Sequence, residues 1–123
     1  MQLNRGNNTF SEVAIQTNTH ATDWSWGVLL QDFDSDGKED IFISNGILKR
    51  PNDLDYINYL SNVDFTEYNN SRQDILKKKL IDKMPTLKIP NILFKNNGKL
   101  NFEKVNATDT GVPSYSNGAA YAD

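Results

Sequence analysis

Four aspartates are clustered in one short stretch of the sequence. Asp32, Asp34 and Asp36 alternate, Gly37 follows them, and Asp40 comes three residues later. Alternating carboxylates can turn toward one point when the backbone curls around it, and a glycine permits the sharp turn that such a curl needs. Calcium takes roughly six to eight oxygen ligands at about 2.3–2.6 Å and tolerates irregular geometry. The stretch therefore predicts a calcium-binding loop.

The predicted ligands are three alternating carboxylates, one main-chain carbonyl and a ninth-position carboxylate: Asp32, Asp34, Asp36, Lys38 and Asp40. Without a cation, four carboxylates this close would repel one another, which is a physical reason to expect a metal. An EF-hand would need a glutamate at the twelfth position and flanking helices. That position is Ile43, in an apolar stretch, so the EF-hand is excluded. Magnesium and manganese remain alternatives, although magnesium demands tighter octahedral geometry.

The segments on both sides of this loop have the patterns of β-strands. Residues 24–33 alternate, with Trp24, Trp26, Val28 and Leu30 on one face. Residues 40–44 are a short apolar strand, residues 91–95 are another, and residues 96–98 turn the chain into a strand over 100–105. Residues 10–14 alternate after an Asn- and Gly-rich turn. The loop is thus predicted to join two strands of a mainly β fold.

A helical insertion is predicted over residues 49–90. Asp53 follows Pro51 as a helix start, and Leu54, Ile57 and Leu60 come after it at helical spacing. A second helix is predicted from about Phe65 or Ser71 to Met84, before two prolines return the chain to a strand. The predicted division is residues 1–48 as a repeat with the Asp loop, 49–90 as the insertion and 91–123 as the start of a second repeat.

An internal repeat supports this division. Residues 4–13 and 96–105 share asparagine, glycine, phenylalanine and valine in register, 92 residues apart. Gly27 and Asp32 correspond to Gly118 and Asp123, each pair 91 residues apart. A second Asp loop would therefore begin at Asp123, and its site cannot be assembled from this chain. We expect the sequence to be one part of a longer repeat protein.

The composition excludes several classes of function. The 123 residues carry a net charge of −3, so there is no basic face for nucleic acid. Cysteine is absent, which excludes disulfides and thiolate metal sites. No run approaches the roughly 18 apolar residues of a membrane span. Residues 1–6 lack the apolar core of a signal peptide, so either the protein is not exported or, as we expect, the chain begins downstream of its natural start.

The residues 32–46, with the flanking segments 3–13 and 26–27, resemble the FG-GAP repeat, also called VCBS, of integrin-type β-propellers. They are similar in particular to bacterial proteins of the ASPIC/UnbV (cartilage acidic protein) type. The resemblance covers residues 3–46 and 91–123 and leaves out the insertion. It implies a partial β-propeller with a calcium ion held by Asp32, Asp34, Asp36, Lys38 and Asp40. It also implies an exported or cell-surface protein that serves in adhesion or ligand binding.

Two function classes follow from these observations. The leading one is a non-enzymatic, calcium-stabilised scaffold with a protein or glycan partner, whose open strand edges favour self-association. The other is a carbohydrate-binding accessory propeller of a larger enzyme, in which Trp24 and Trp26 stack on a sugar rather than pack between blades. His20 is the only histidine, so a Ser-His-Asp set or a zinc site has little support. The lysines at 77–79 are interrupted by acidic neighbours and indicate a solvated helix face.

Overall fold

The structure is a computed structural model that describes residues 1–65, 72–105 and 111–122. Its elements are β1 (Gln2–Gly6), β2 (Thr9–Glu12), β3 (Ser25–Gln31), β4 (Asp40–Asn45), α1 (Leu54–Ser61), α2 (Gln73–Lys83), β5 (Ile92–Asn96) and β6 (Phe102–Val105). They divide into two compact units, Met1–Gly46 with Lys88–Asp123, and Ile47–Leu87. Within the described part of the chain, neither helix is long and apolar enough to span a membrane.

The first unit contains an antiparallel sheet whose strands follow one another in the order β3-β4-β5-β6. Residues 32–39 join β3 to β4, which are neighbours in this sheet. Four sequential antiparallel strands are the arrangement of one blade of a β-propeller. The predicted mainly β fold class, with a blade-like sheet and a helical insertion, is confirmed. β1 and β2 form a separate two-stranded ribbon.

The turn of the β1–β2 ribbon has the same backbone geometry as the turn between β5 and β6. Three consecutive residues with positive φ occur in each turn, at positions 6–8 and again at 98–100. The side-chain Oδ1 of Asn4 accepts a hydrogen bond from the N–H of Gly6 at 2.9 Å, and that of Asn96 accepts from Gly98 at the same distance. The β1–β2 ribbon is therefore the structural equivalent of β5–β6, as the internal repeat indicates.

The core of the first unit lies on one face of the four-stranded sheet. Cross-strand pairing places Ile43 beside Ile92 and Ile41 beside Phe94. The buried cluster consists of Ile41, Ile43, Ile92, Phe94 and Phe102. β3 continues this face through Val28 and Leu30, which pair with Ile43 and Ile41, but these two side chains are 58% and 61% exposed. The apolar surface of the sheet is thus covered over β4 to β6 and exposed over β3.

The C-terminal segment runs close to the sheet at two glycines. The N–H of Ser116 donates to the carbonyl of Asn45 at 3.2 Å. A Cβ on Gly46 would overlap the backbone of Tyr115 and Ser116, and one on Gly27 would lie 3.0 Å from the N of Ala119. Glycine is needed at Gly46 because the two backbones approach too closely for any side chain.

The second unit contains both described helices. Asp53 caps α1, its Oδ1 accepting from the N–H of Tyr56 at 3.0 Å, which places the helix start where the sequence predicts it. The buried side chain of α1 is Tyr56, whose hydroxyl donates to the carbonyl of Leu80 at 3.2 Å. Of the predicted apolar row, Leu54 and Ile57 are exposed and Leu60 is half-buried. A start of α2 at Ser71 cannot be compared, because Ser71 lies outside the described residues.

Two details of the strands differ from the sequence-based expectation. β3 begins at Ser25, so Trp24 precedes the strand, and the register with β4 shifts between Ser25 and Val28. The shift interrupts the simple alternation predicted from Trp24 onward. β2 covers Thr9–Glu12, so Val13 and Ala14 of the predicted strand 10–14 follow it and are buried, whereas Phe10 is exposed.

Candidate metal centre

Three of the predicted ligands are brought together at the end of β3 and the start of β4. One carboxylate oxygen from each of Asp32, Asp34 and Asp40 lies within 4.8 Å of the other two. Two oxygens bound to one calcium ion are at most about 5 Å apart, because each lies about 2.3–2.6 Å from the ion. The three carboxylates therefore fit a single hard cation.

The curl of the loop is held by hydrogen bonds from its own backbone. The carboxylate of Asp32 accepts from the N–H of Asp36 at 3.0 Å and from that of Gly37 at 2.8 Å. Asp34 accepts from the same Asp36 N–H at 3.2 Å. Ser35 and Gly37 adopt positive φ values of 60° and 84°, and such values turn the chain back on itself. The curl of the loop is therefore stabilised by hydrogen bonds between carboxylates and N–H groups that are close together in sequence.

Asp40 anchors the loop to the sheet. Its side chain is buried, with 2% exposure, and Oδ2 accepts from the N–H of Phe33 at 3.2 Å. Its Oδ1 accepts from the N–H of Asn96 at 2.8 Å, and the Asn96 side-chain amide donates to the carbonyl of Glu39 at 2.9 Å. A buried carboxylate with two backbone donors is rigidly positioned, so the ninth residue of the loop fixes where a cation would sit.

Asp36 and Lys38 are arranged differently from the other ligand candidates. The carboxylate of Asp36 accepts from the backbone N–H of Lys38 at 3.0 Å and from its ammonium at 2.8 Å. Asp36 is therefore engaged with Lys38 rather than grouped with the other three carboxylates. Ligation by Asp36 and by the carbonyl of Lys38 stays a prediction.

Lys95 is the charged residue of this site that sequence reasoning missed. It extends from β5 and its ammonium forms an ion pair with Asp34. The hydrogen bond from Lys95 holds the pKa of Asp34 below its ordinary value, and the same bond raises the pKa of Lys95. Lys95 and Lys38 together offset the repulsion among the aspartates. Repulsion alone is thus a weaker argument for a metal than the sequence suggested.

The two candidate tryptophans form hydrogen bonds with Gly46 rather than with the aspartates. Trp26 is 55% exposed and its indole N–H donates to the carbonyl of Gly46. Trp24 is half-buried, and its carbonyl accepts from the N–H of Gly46 at 3.0 Å. His20 is exposed. Asp123, the expected first residue of a second loop, lies outside the described residues.

Comparison with known proteins gives one match. A family profile described as the FG-GAP-like repeat matches residues 1–43, which include β1 to β3 and the Asp loop. None of the curated proteins and none of the solved structures matches the chain significantly. The match agrees with the blade-like sheet and with a repeat scaffold of the β-propeller type.

Proposed function

We propose that this chain is a calcium-stabilised repeat of a non-enzymatic β-propeller scaffold. The observation that carries the proposal is the convergence of the Asp32, Asp34 and Asp40 carboxylates within 4.8 Å of one another. Calcium is favoured over other ions because the donors are all hard oxygens in an irregular loop. The FG-GAP-like match over residues 1–43 supports the same assignment.

The ion would act on the fold rather than on a substrate. The carboxylates that would bind it come from the end of β3, the loop and the start of β4, so a bound cation would hold these strand ends together. Binding to the folded state alone would then raise stability by mass action. Asp36 and the Lys38 carbonyl would complete the ligand set after Asp36 exchanges its contact with the Lys38 ammonium for the ion.

The location and the partner rest on the resemblance to the FG-GAP repeat. Repeats of the ASPIC/UnbV type imply an exported or cell-surface protein that binds another protein or a glycan. We propose the same surroundings here, in which calcium is abundant enough to fill a loop of moderate affinity.

Calorimetric titration of the chain with calcium chloride tests the proposal. We expect one site per chain, and we expect Asp34→Asn to weaken binding at least about tenfold through the loss of one charged ligand. Asp82→Asn removes the same charge from α2 and serves as the matched control, with binding unchanged. Absence of heat in the wild type at millimolar calcium would refute calcium binding.

A carbohydrate-binding accessory propeller is the second candidate. The observation in its favour is the 55% exposure of Trp26, because exposed aromatic rings stack on sugars. Glycan binding that is lost in Trp26→Ala and unaffected by calcium removal would favour this second function.

A further inference from the structure

We propose that the second unit, Ile47–Leu87, binds a neutral sugar in a cleft between α1 and the end of α2. The insertion cleft is lined by Asp53, Asp55, Tyr56, Tyr59, Lys83 and Pro85. The family match covers residues 1–43, so the second unit lies outside the matched repeat. Sugar binding here rests on the glycan-partner part of the proposed function, and it requires neither calcium nor Trp26.

The two sides of the insertion cleft are joined by hydrogen bonds. The hydroxyl of Tyr56 on α1 donates to the carbonyl of Leu80 on α2 at 3.2 Å. The N–H of Arg50, before α1, donates to the carbonyl of Pro85, after α2, at 3.0 Å. The cleft has a volume of about 400 Å³, within the roughly 300–1,000 Å³ of small-molecule sites. Because its walls are already connected, a ligand need not order them on binding.

Two tyrosine rings form the apolar part of the insertion cleft. Tyr56 is buried, and its ring centroid lies 6.4 Å from that of Tyr59, with an angle of 32° between the ring planes. Tyr59 is half-buried, and its hydroxyl has no hydrogen-bond partner among the described residues. A tyrosine combines an apolar ring with a polar tip. Tyr59 can therefore contact the C–H face of a sugar ring and also hydrogen-bond one of its hydroxyls.

The charged side chains of the insertion cleft have hydrogen-bonding capacity left for a ligand. Asp53 uses Oδ1 to cap α1, accepting from the N–H of Tyr56 at 3.0 Å, which leaves Oδ2 as a further acceptor. Asp55 and Lys83 are exposed, and neither forms a hydrogen bond or ion pair with another described residue. The cleft thus offers carboxylate acceptors together with an ammonium donor.

The mixture of charges selects the class of ligand. A cationic ligand would be repelled by Lys83, and an anionic ligand would be repelled by Asp53 and Asp55. A neutral ring with several hydroxyl groups meets neither repulsion, because each hydroxyl can donate to a carboxylate or accept from the ammonium. Hydrogen bonds to such charged groups are shorter and stronger than those between neutral groups. A sugar has these hydroxyls and also an apolar face for Tyr59.

Two measurements on the full chain test the proposal. Binding to a glycan array identifies the preferred sugars. NMR titration of the isotope-labelled chain with the methyl glycosides of glucose, galactose, mannose and N-acetylglucosamine locates the site. We expect array binding, and saturable shifts of the amide resonances of Asp55, Tyr59 and Lys83 with at least one glycoside. No array binding and no shifts, or shifts confined to the first unit, would overturn the proposal.

Two pairs of variants test the ring and the acceptor. Tyr59→Ala removes the ring, and Tyr121→Ala, at an exposed tyrosine of the first unit, is its control. Asp55→Ala removes a carboxylate, and Asp82→Ala, at an exposed aspartate of α2, is its control. We expect each test variant to weaken sugar binding at least about tenfold and each control to leave it unchanged. Because Asp55 is exposed, its variant still tests the site if Tyr59→Ala fails to fold.

A variant of Lys83 distinguishes a neutral ligand from a charged one. Lys83→Met removes a donor, so we expect it to weaken sugar binding as Asp55→Ala does. Lys79→Met removes the same charge from an exposed position of α2 outside the cleft, and it should leave binding unchanged. Acetyl-arginine amide is the cationic probe. If it binds more tightly in Lys83→Met and more weakly in Asp55→Ala, and no sugar binds, the cleft belongs to a cationic side chain of a partner.

The remaining outcomes separate this cleft from the proposed function. Sugar binding that is lost in Trp26→Ala and retained in Tyr59→Ala would place the glycan site on β3 and overturn the assignment to the cleft. Failure of calcium binding in calorimetry would refute the metal while leaving sugar binding in the second unit standing. Calcium binding without any sugar binding would refute the cleft while leaving the calcium-stabilised scaffold standing.

Discussion

The backbone N–H of Asn96 on β5 donates to Oδ1 of Asp40 on β4 at 2.8 Å, and the two residues are 56 apart in sequence. This bond connects the Asp loop to β5 and makes Asp40 a structural residue as well as a candidate ligand. Asp32, by contrast, is held by two N–H groups of the loop, and Asp34 by one loop N–H and by the ammonium of Lys95 on β5. Asp40 and Asp34 therefore connect the loop to β5, whereas the bonds of Asp32 lie within the loop.

The first prediction concerns Asp40 in the absence of any metal. Asp40→Asn keeps one acceptor, the amide oxygen, and turns an NH₂ group toward the other backbone donor. We expect a loss of about 1–3 kcal/mol in the free energy of unfolding in EDTA, as for other buried groups that lose a partner. Urea denaturation measures it. Glu39→Gln, at the neighbouring exposed position, is the control, and an equal effect of both variants would contradict the anchoring role.

The second prediction concerns competition between Lys95 and a cation for Asp34. A bound cation must share or displace the ammonium that pairs with this carboxylate. We expect Lys95→Met to tighten calcium binding about twofold to fivefold, the range that exposed ion pairs support. Lys104→Met removes the same charge from β6 and should leave affinity unchanged. Weaker binding in Lys95→Met than in the control would show instead that Lys95 organises the site.

The third prediction concerns pH. The hydrogen bond from Lys95 lowers the pKa of Asp34, so the pair stabilises the fold above the ordinary aspartate pKa of about 3.9. This contribution is lost as the pH falls through the lowered pKa of the folded state. NMR titration of the Asp34 carboxyl without metal should give a midpoint below the ordinary value. In Lys95→Met the midpoint should return toward it, and an unchanged midpoint would disprove the cause.

The fourth prediction concerns the close approach at Gly46. An added Cβ would overlap the backbone of Tyr115 and Ser116, so we expect Gly46→Ala to lower the free energy of unfolding by about 1–3 kcal/mol. Gly118→Ala is the matched control, since its Cβ meets nothing within 4 Å, and we expect a change within about 0.5 kcal/mol. Thermal denaturation of both variants compares them. Similar losses would show that the C-terminal segment does not pack here.

Much of the sheet could be predicted from local sequence. The strands around the Asp loop follow from alternation and apolar runs, and the turns at Gly6 and Gly98 follow from the Asn- and Gly-rich sequences that contain them. The second turn is longer than predicted, because Lys99 and Leu100 also adopt positive φ and β6 begins at Phe102 rather than at residue 100. The internal repeat aligns Asn4 with Asn96, and the two residues occupy equivalent turns. These features depend on residue types and spacings that can be read along the chain.

The structural features that could not be predicted from the sequence depend on contacts between residues far apart in the chain. Lys95 reaches Asp34 only because β5 lies beside β4 in the sheet. The insertion separates these two strands in sequence, so local sequence patterns do not show that they are neighbours. Tyr56 is the buried residue of α1, and its hydroxyl donates to the carbonyl of Leu80, whereas the apolar pattern comprised Leu54, Ile57 and Leu60. The irregular register near Trp26 likewise depends on pairing with β4.

Melting of the wild-type chain in EDTA and in millimolar calcium tests the central claim most directly. If one ion joins the carboxylates of Asp32, Asp34 and Asp40, calcium at about 100 times its dissociation constant should add about 2.7 kcal/mol and raise the melting temperature by several degrees. Magnesium at the same concentration should raise it less. Melting curves that coincide in EDTA and in calcium would contradict the account.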